Sequence, residues 1–136
     1  MKIGLLIPST SKGRENWKTY KDTYLYTSTL KTFLLTYDKE HEYIFYIGID
    51  KGDRIYDDEY SREKFLQYAK VMKNISIQFI YMDGIEKGHL TVMWNRLFKI
   101  AYDEKCEYFF QCGDDIEFNT NNWVNDCIKT LEKSNN

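Results

Sequence analysis

The stretch Tyr108–Phe118, YFFQCGDDIEF, passes from aromatic residues straight into three carboxylates, Asp114, Asp115 and Glu117. Close carboxylates have three chemical uses. They supply oxygen ligands to a hard divalent cation such as Mg²⁺ or Mn²⁺, which takes one or two carboxylates together with substrate phosphates. They do acid/base work, because neighbouring acids push each other's pKa values apart. Or they shape a turn, where aspartate side chains bond their own backbone. Two more polar clusters follow apolar runs in the same way: Ser9 to Arg14, STSKGR, and Asp50 to Asp53, DKGD.

Something must position these groups. Ile3 to Ile7 is a short apolar run closed by Pro8, which reads as a buried strand. Tyr26, Leu30, Phe33, Leu34 and Tyr37 recur at helical spacing. Tyr43 to Ile49 is a second strand, rich in aromatic and branched residues, stopped by the turn signal Asp50-Lys51-Gly52-Asp53. Phe65, Leu66, Ala69 and Met72 stripe a second helix, and Ile75 to Tyr81 forms a third strand. Met93, Leu97, Ile100 and Ala101 define a third helix, Glu107 to Cys112 a fourth strand, and Trp123 to Leu131 a last helix with Asn121 or Asn122 as N-cap.

Strands alternate with helices, and the strands are apolar nearly throughout, as strands covered on both faces are. The expected fold is α/β: a mostly parallel sheet with helices on both faces and right-handed crossovers, in one domain spanning residues 1–136. In such sheets ligands bind beyond the carboxyl ends of the strands. All three polar clusters fall at those ends, so they are expected to face one crevice.

Composition narrows the function. With 19 basic and 21 acidic residues there is no electrostatic case for nucleic-acid binding or a cationic membrane face. No apolar run approaches the roughly 20 residues of a spanning helix, and the apolar stretch in MKIGLLIPST is too short for a signal peptide. A cytoplasmic protein is expected, its three cysteines, Cys106, Cys112 and Cys127, present as reduced thiols. The sequon at Asn74-Ile75-Ser76 then reads as chance. The first strand is followed by one glycine, Gly13, so the G-x-G-x-x-G of classical dinucleotide folds is missing, and a P-loop occurs nowhere. Serine and threonine stand where phosphatases and receiver domains place their acids.

In this order the motifs resemble the donor-binding half of a GT-A glycosyltransferase. IGLLIPST is similar to the opening strand of that family, which ends in a proline and a small polar residue. YIFYIGIDKGD is similar to the strand whose aspartate contacts the nucleotide base. WNRLFKIA resembles the helix whose Asn or Arg faces the donor. YFFQCGDDIEF resembles the strand and DxD motif that bind the metal and the diphosphate. Together the four cover nearly the whole chain. The pattern departs from the family at Gly113, where a strict D-x-D has aspartate, leaving either Gly-Asp-Asp or the D-x-E of Asp115-Ile116-Glu117.

The resemblance implies a short or truncated, Rossmann-like nucleotide-sugar-binding domain and a metal-dependent transfer from a nucleotide-diphosphate sugar, a uridine one by family analogy, to an acceptor glycan or protein. Mn²⁺ or Mg²⁺ would be held by Asp115 with Glu117 or Asp114. Pro8, Ser9, Thr10, Arg14, Asp50, Asn95, Arg96 and Asp114 would line the donor, with Lys12 or Arg14 reaching a phosphate. Each has a plainer reading: a solvated loop for residues 9–14, a turn aspartate for Asp50, a polar helix face for Asn95 and Arg96. Asp53, Asp57 and Asp58 are expected on a solvated face, Trp94 in the core, His89 in an incidental place and Trp123 as a packing anchor. The catalytic residue is not identified. Family members continue past the acids into acceptor-binding strands, whereas this chain ends one helix later. The alternatives are therefore a minimal enzyme, a subunit completed by a partner domain or oligomer, or a non-catalytic nucleotide-sugar-binding or assembly domain.

Overall fold

A computed structural model describes residues 1–85 and 89–134. Four strands form one sheet: β1 (Lys2–Pro8), β2 (Glu42–Ile49), β3 (Ile75–Tyr81) and β4 (Tyr108–Gln111). Every pairing is parallel, and the order across the sheet is β3-β2-β1-β4. β1 and β2 are central and buried on both faces, which is why their sequences lack polar alternation. The expectation of a parallel α/β sheet with helices on both faces holds, in an arrangement consistent with a Rossmann-like fold.

The helices divide between the faces. On one lie α1 (Lys31–Thr36), entered through a π-helical segment Leu25–Leu30, then α2 (Glu59–Lys70) and α4 (Trp123–Ser134). Leu25, Leu30, Phe33, Phe65, Ala69, Val124 and Ile128 pack there on Ile3, Leu5 and Ile7 of β1 and on Tyr43, Phe45 and Ile47 of β2. The period of two sends Leu6 and Tyr46 to the other face, where α3 (Leu90–Asp103) covers them with Leu97 and Ala101. Gly4 permits that close approach: a Cβ there would sit 3.4 Å from both Ala101 Cβ and Cys106 Sγ.

Phe33 is the hub of the larger core. Its ring lies 4.9 to 5.5 Å from those of Phe45, Tyr43, Tyr37 and Phe118. A fully buried ring of this size contributes about 1.5–3 kcal/mol. Trp123 stacks on Phe118 at 4.7 Å and meets Phe110 edge-on, so it is the packing anchor expected of it. It also fastens the far end of the acidic loop to the core. Asn122 stands just before α4 with φ 63°. The three cysteines are free thiols, and Asn74 spends its side-chain amide on the Lys39 and His41 carbonyls. Among the described residues no helix is long and apolar enough to cross a membrane.

Candidate functional site

The carboxyl ends of β1, β2 and β4 open onto a cleft of about 490 Å³. Pro8, Ser9, Thr10 and Arg14 line it from the β1 loop, Asp50 from β2, and Cys112, Gly113, Asp114 and Asp115 from β4. Leu90, Met93 and Trp94 of α3 close it on the remaining side. Through Thr10, Asp50 and Met93 it continues into a second lobe of about 460 Å³, which carries Lys12, Lys51 and Arg54 alongside Glu15 and Asp53. The three polar clusters thus share one crevice, as the strand order requires.

The adjacent acids Asp114 and Asp115 differ sharply. Asp114 is buried. It accepts hydrogen bonds from Ser9 Oγ at 2.7 Å and from both terminal nitrogens of Arg14, at 2.5 and 3.2 Å. Arg14 is itself caged, its guanidinium over the Trp17 ring at 4.6 Å and the Tyr24 ring at 5.1 Å, with a further bond to Thr10 O. The Asp114 bond raises the Arg14 pKa above its ordinary value, against the effect of burial. Arg14, expected with Lys12 as one of two candidates to reach a phosphate, lines the cleft as expected and has its charge paired with Asp114.

Asp115 is exposed and lines the cleft. A Cβ on Gly113 would come within 2.9 Å of Asp115 Oδ1, so the glycine in place of the first aspartate leaves room for the carboxylate beside it. Glu117 is exposed on the same loop but does not border the cleft. The loop backbone is held from the π-helical segment and from α1. Thr29 Oγ lies 2.6 Å from Asp114 O and 3.0 Å from Ile116 O, and Phe118 N donates to Thr32 Oγ.

At the end of β2, Asp50 is exposed and accepts a bond from Thr10 Oγ. Asp53 is buried, and the expectation of a solvated side chain is overturned. Its carboxylate takes the amides of Ser11, Ile55 and Tyr56 and the Ser11 hydroxyl, all between 2.8 and 2.9 Å. Burial opposes its ionisation, but these amides outweigh burial and hold its pKa below the usual value. Asp57 is half-buried rather than solvated. The Gly52 amide, Tyr81 hydroxyl and Arg62 guanidinium bring its pKa down to about 2. Asp58 is exposed as expected, and it caps α2 through the Ser61 amide.

Asn95 and Arg96 do not line either lobe. Met93, Leu97 and Ala101 lie one above another on the inner face of α3, and helical geometry turns Asn95 away, where it is exposed. Arg96 instead binds the Tyr81 and Asp83 carbonyls at the end of β3. The polar helix group in the cleft lining is that of Trp94, beside Leu90 and Met93, and its indole donates to Leu6 O at 3.1 Å. His89 sits immediately before α3. Cys112 also borders the cleft, but burial pushes its thiol up to about 11, so it is protonated at neutral pH and a poor nucleophile.

The donor set can be tested against Mg²⁺ or Mn²⁺. Among the described residues no group of three His, Cys, Asp or Glu side chains could hold a metal ion. Asp114 is occupied by Arg14, while Asp115 offers an accessible carboxylate in the cleft. That arrangement fits a hard cation shared between one protein carboxylate and ligand oxygens, and does not fit an all-protein cage. Around it stand acceptors for hydroxyls, Asp50 and Thr10, an indole, and the second lobe's lysines for negative charge. Comparison with protein-family models, with curated proteins and with solved structures finds no match to this chain.

Proposed function

We propose that this protein is a metal-dependent glycosyltransferase that uses a nucleotide-diphosphate sugar, a uridine one by analogy with the family its motifs resemble. One observation carries the reading. Three strand-end clusters converge on a single crevice in which Asp114 is locked to Arg14 and its neighbour Asp115 is left accessible. Thr10 and Asp50, which line the cleft, would bond the nucleoside. Lys12 and Lys51 supply positive charge in the adjoining lobe, and Trp94 lines the same cleft as Asp115. A hard cation held at Asp115 would stabilise the departing diphosphate. The partly buried Arg14–Asp114 pair would keep the loop that bears Asp115 in place while the acceptor hydroxyl attacks the anomeric carbon and the diphosphate departs.

Calorimetry of the protein with uridine diphosphate sugars, with and without Mn²⁺, tests binding, and an assay for released diphosphate tests turnover. Mn²⁺-dependent binding and release in the presence of acceptor are expected. Binding without release across an acceptor panel points to a nucleotide-sugar-binding domain. Absence of any Mn²⁺-dependent binding eliminates both readings.

A further inference from the structure

Four threonines lie between residues 24 and 36: Thr27, Thr29, Thr32 and Thr36. Three donate to the carbonyl four residues back: Thr27 to Thr23, Thr32 to Ser28 and Thr36 to Thr32. That is the local habit of a helical threonine. Thr29 departs from it. Its hydroxyl leaves the helix and reaches the acidic loop, lying 2.6 Å from Asp114 O and 3.0 Å from Ile116 O. It does so from full burial, within the π-helical segment, an irregularity that recurs at functional sites.

The two carbonyls it meets flank one residue, Asp115. Both belong to irregular backbone beyond the end of β4, where no ladder partner is available to them. Two residues further on, Phe118 N donates to Thr32 Oγ at 2.9 Å. Two hydroxyls one helical turn apart therefore hold three alternate residues of the loop, 114, 116 and 118. Asp114 is held again through its side chain by Ser9 and Arg14. The carboxylate of Asp115 is thus mounted on backbone fixed from both sides.

We infer that Thr29 is the positioning residue for Asp115: its hydroxyl sets the backbone that presents this carboxylate to a cation shared with a diphosphate. The inference rests on the function proposed above and identifies what organises that site. Outer partners of metal-binding groups change metal affinity about 10–100-fold when removed.

The test uses uridine diphosphate and Mn²⁺ as probes. Affinity for the nucleotide is measured by calorimetry with Mn²⁺ and with chelator, and the ratio is the metal-dependent gain. Thr29→Val keeps the shape and removes the donor, and Thr29→Ser keeps the donor. In Thr29→Val the gain falls roughly tenfold, while nucleotide affinity in chelator stays within about twofold of wild type. Thr29→Ser retains the gain. In an Asp115→Asn background, Thr29→Val produces no further loss of gain, because the residue through which it acts is already gone. If Thr29→Val retains the wild-type gain, or lowers affinity equally with and without Mn²⁺, the positioning role is overturned and the proposed function survives. A wild-type protein with no metal-dependent gain overturns both. Should Thr29→Val not fold, Thr29→Ala in the same cycle replaces it, with the same outcomes.

Discussion

The turns that end β2 and β4 are built on the same division of labour. Each holds one buried and one exposed aspartate: Asp53 and Asp50 in the first, Asp114 and Asp115 in the second. Each buried acid is tied to the loop after β1, Asp53 through Ser11 and Asp114 through Ser9 and Arg14. Each exposed acid lines the cleft. They differ in what satisfies the buried charge. Asp53 is neutralised by three backbone amides and a hydroxyl. Asp114 is neutralised by a full countercharge held between two aromatic rings. Both acids couple segments far apart in the chain, Asp53 to Ser11 across 42 residues and Asp114 to Arg14 across 100, but only the second does so through a pair of opposite charges.

Asp53→Ala breaks the comparison most severely. It strands the amides of Ser11, Ile55 and Tyr56, and a buried unsatisfied donor costs about 1–3 kcal/mol. Partial rehydration keeps the total near 3–4 kcal/mol, which urea denaturation will read as a lower midpoint at unchanged m-value. The pH dependence follows from the depressed pKa. Its stabilisation is fully present above the unfolded carboxylate value near 3.8 and is lost as pH falls through the lower folded value. Acid titration of wild type should therefore show a loss of stability below about pH 4 that Asp53→Asn reduces.

The exposed partner gives the next effect, in binding instead of folding. Asp115→Asn removes most of the Mn²⁺-dependent gain in uridine diphosphate affinity, about 2 kcal/mol, or roughly thirtyfold. Thermal unfolding shifts by no more than about 2 °C, as for other surface substitutions. A melting temperature that drops with the affinity would show that Asp115 is part of the loop's scaffold and erase its contrast with Asp114.

Asp114→Asn leaves Arg14 without its countercharge. Arg14 keeps its ring contacts and about a quarter of its side-chain surface is exposed, so the loss is smaller than for a fully buried pair, about 1.5 kcal/mol. The double variant with Arg14→Met loses less than the sum of the two single-variant losses, because the pair is removed together. Simple additivity in chemical denaturation would mean that the two side chains stabilise the loop independently.

The sequence shows half of this division. Strand ends, turn residues and the shared crevice are legible, because apolar runs and their polar stops follow from periodicity. That acids stand at the ligand edge is legible too, since ligands bind beyond the carboxyl ends of parallel strands. Which acid in each pair is buried is not legible. Asp53 read as solvated because nothing local shows that the Ser11 amide, 42 residues away, will reach it. Asn95 and Arg96 take the plainer of their two readings, a polar helix face, for a different reason. Their residue types suit a nucleotide, but the helical phase of Leu97 and Ala101 fixes which side of α3 is inward, and it admits Trp94 instead. That phase was visible in the sequence and is the signal that could have found it. Thr29 carried no signal of its own: one hydroxyl among four is distinguished only by where the loop passes.

The smallest predicted effects separate the two turns through their glycines. Gly52 is required by its backbone, at φ 85°, with open space where a Cβ would go. Gly113 is required by its neighbour, since a Cβ would crowd Asp115 Oδ1 at 2.9 Å. Gly52→Ala should therefore cost about 1 kcal/mol of stability through the left-handed conformation and leave the Mn²⁺-dependent gain unchanged. Gly113→Ala should do the reverse. Only the end of a flexible, exposed side chain has to move, so stability changes by less than about 0.5 kcal/mol. The displaced carboxylate, however, loses its place in the cleft, and the gain falls a few-fold. Denaturation midpoints and calorimetric affinities on the two single variants give four values. If Gly113→Ala lowers stability as much as Gly52→Ala and spares the gain, the glycine between Cys112 and Asp114 serves the chain and not the carboxylate.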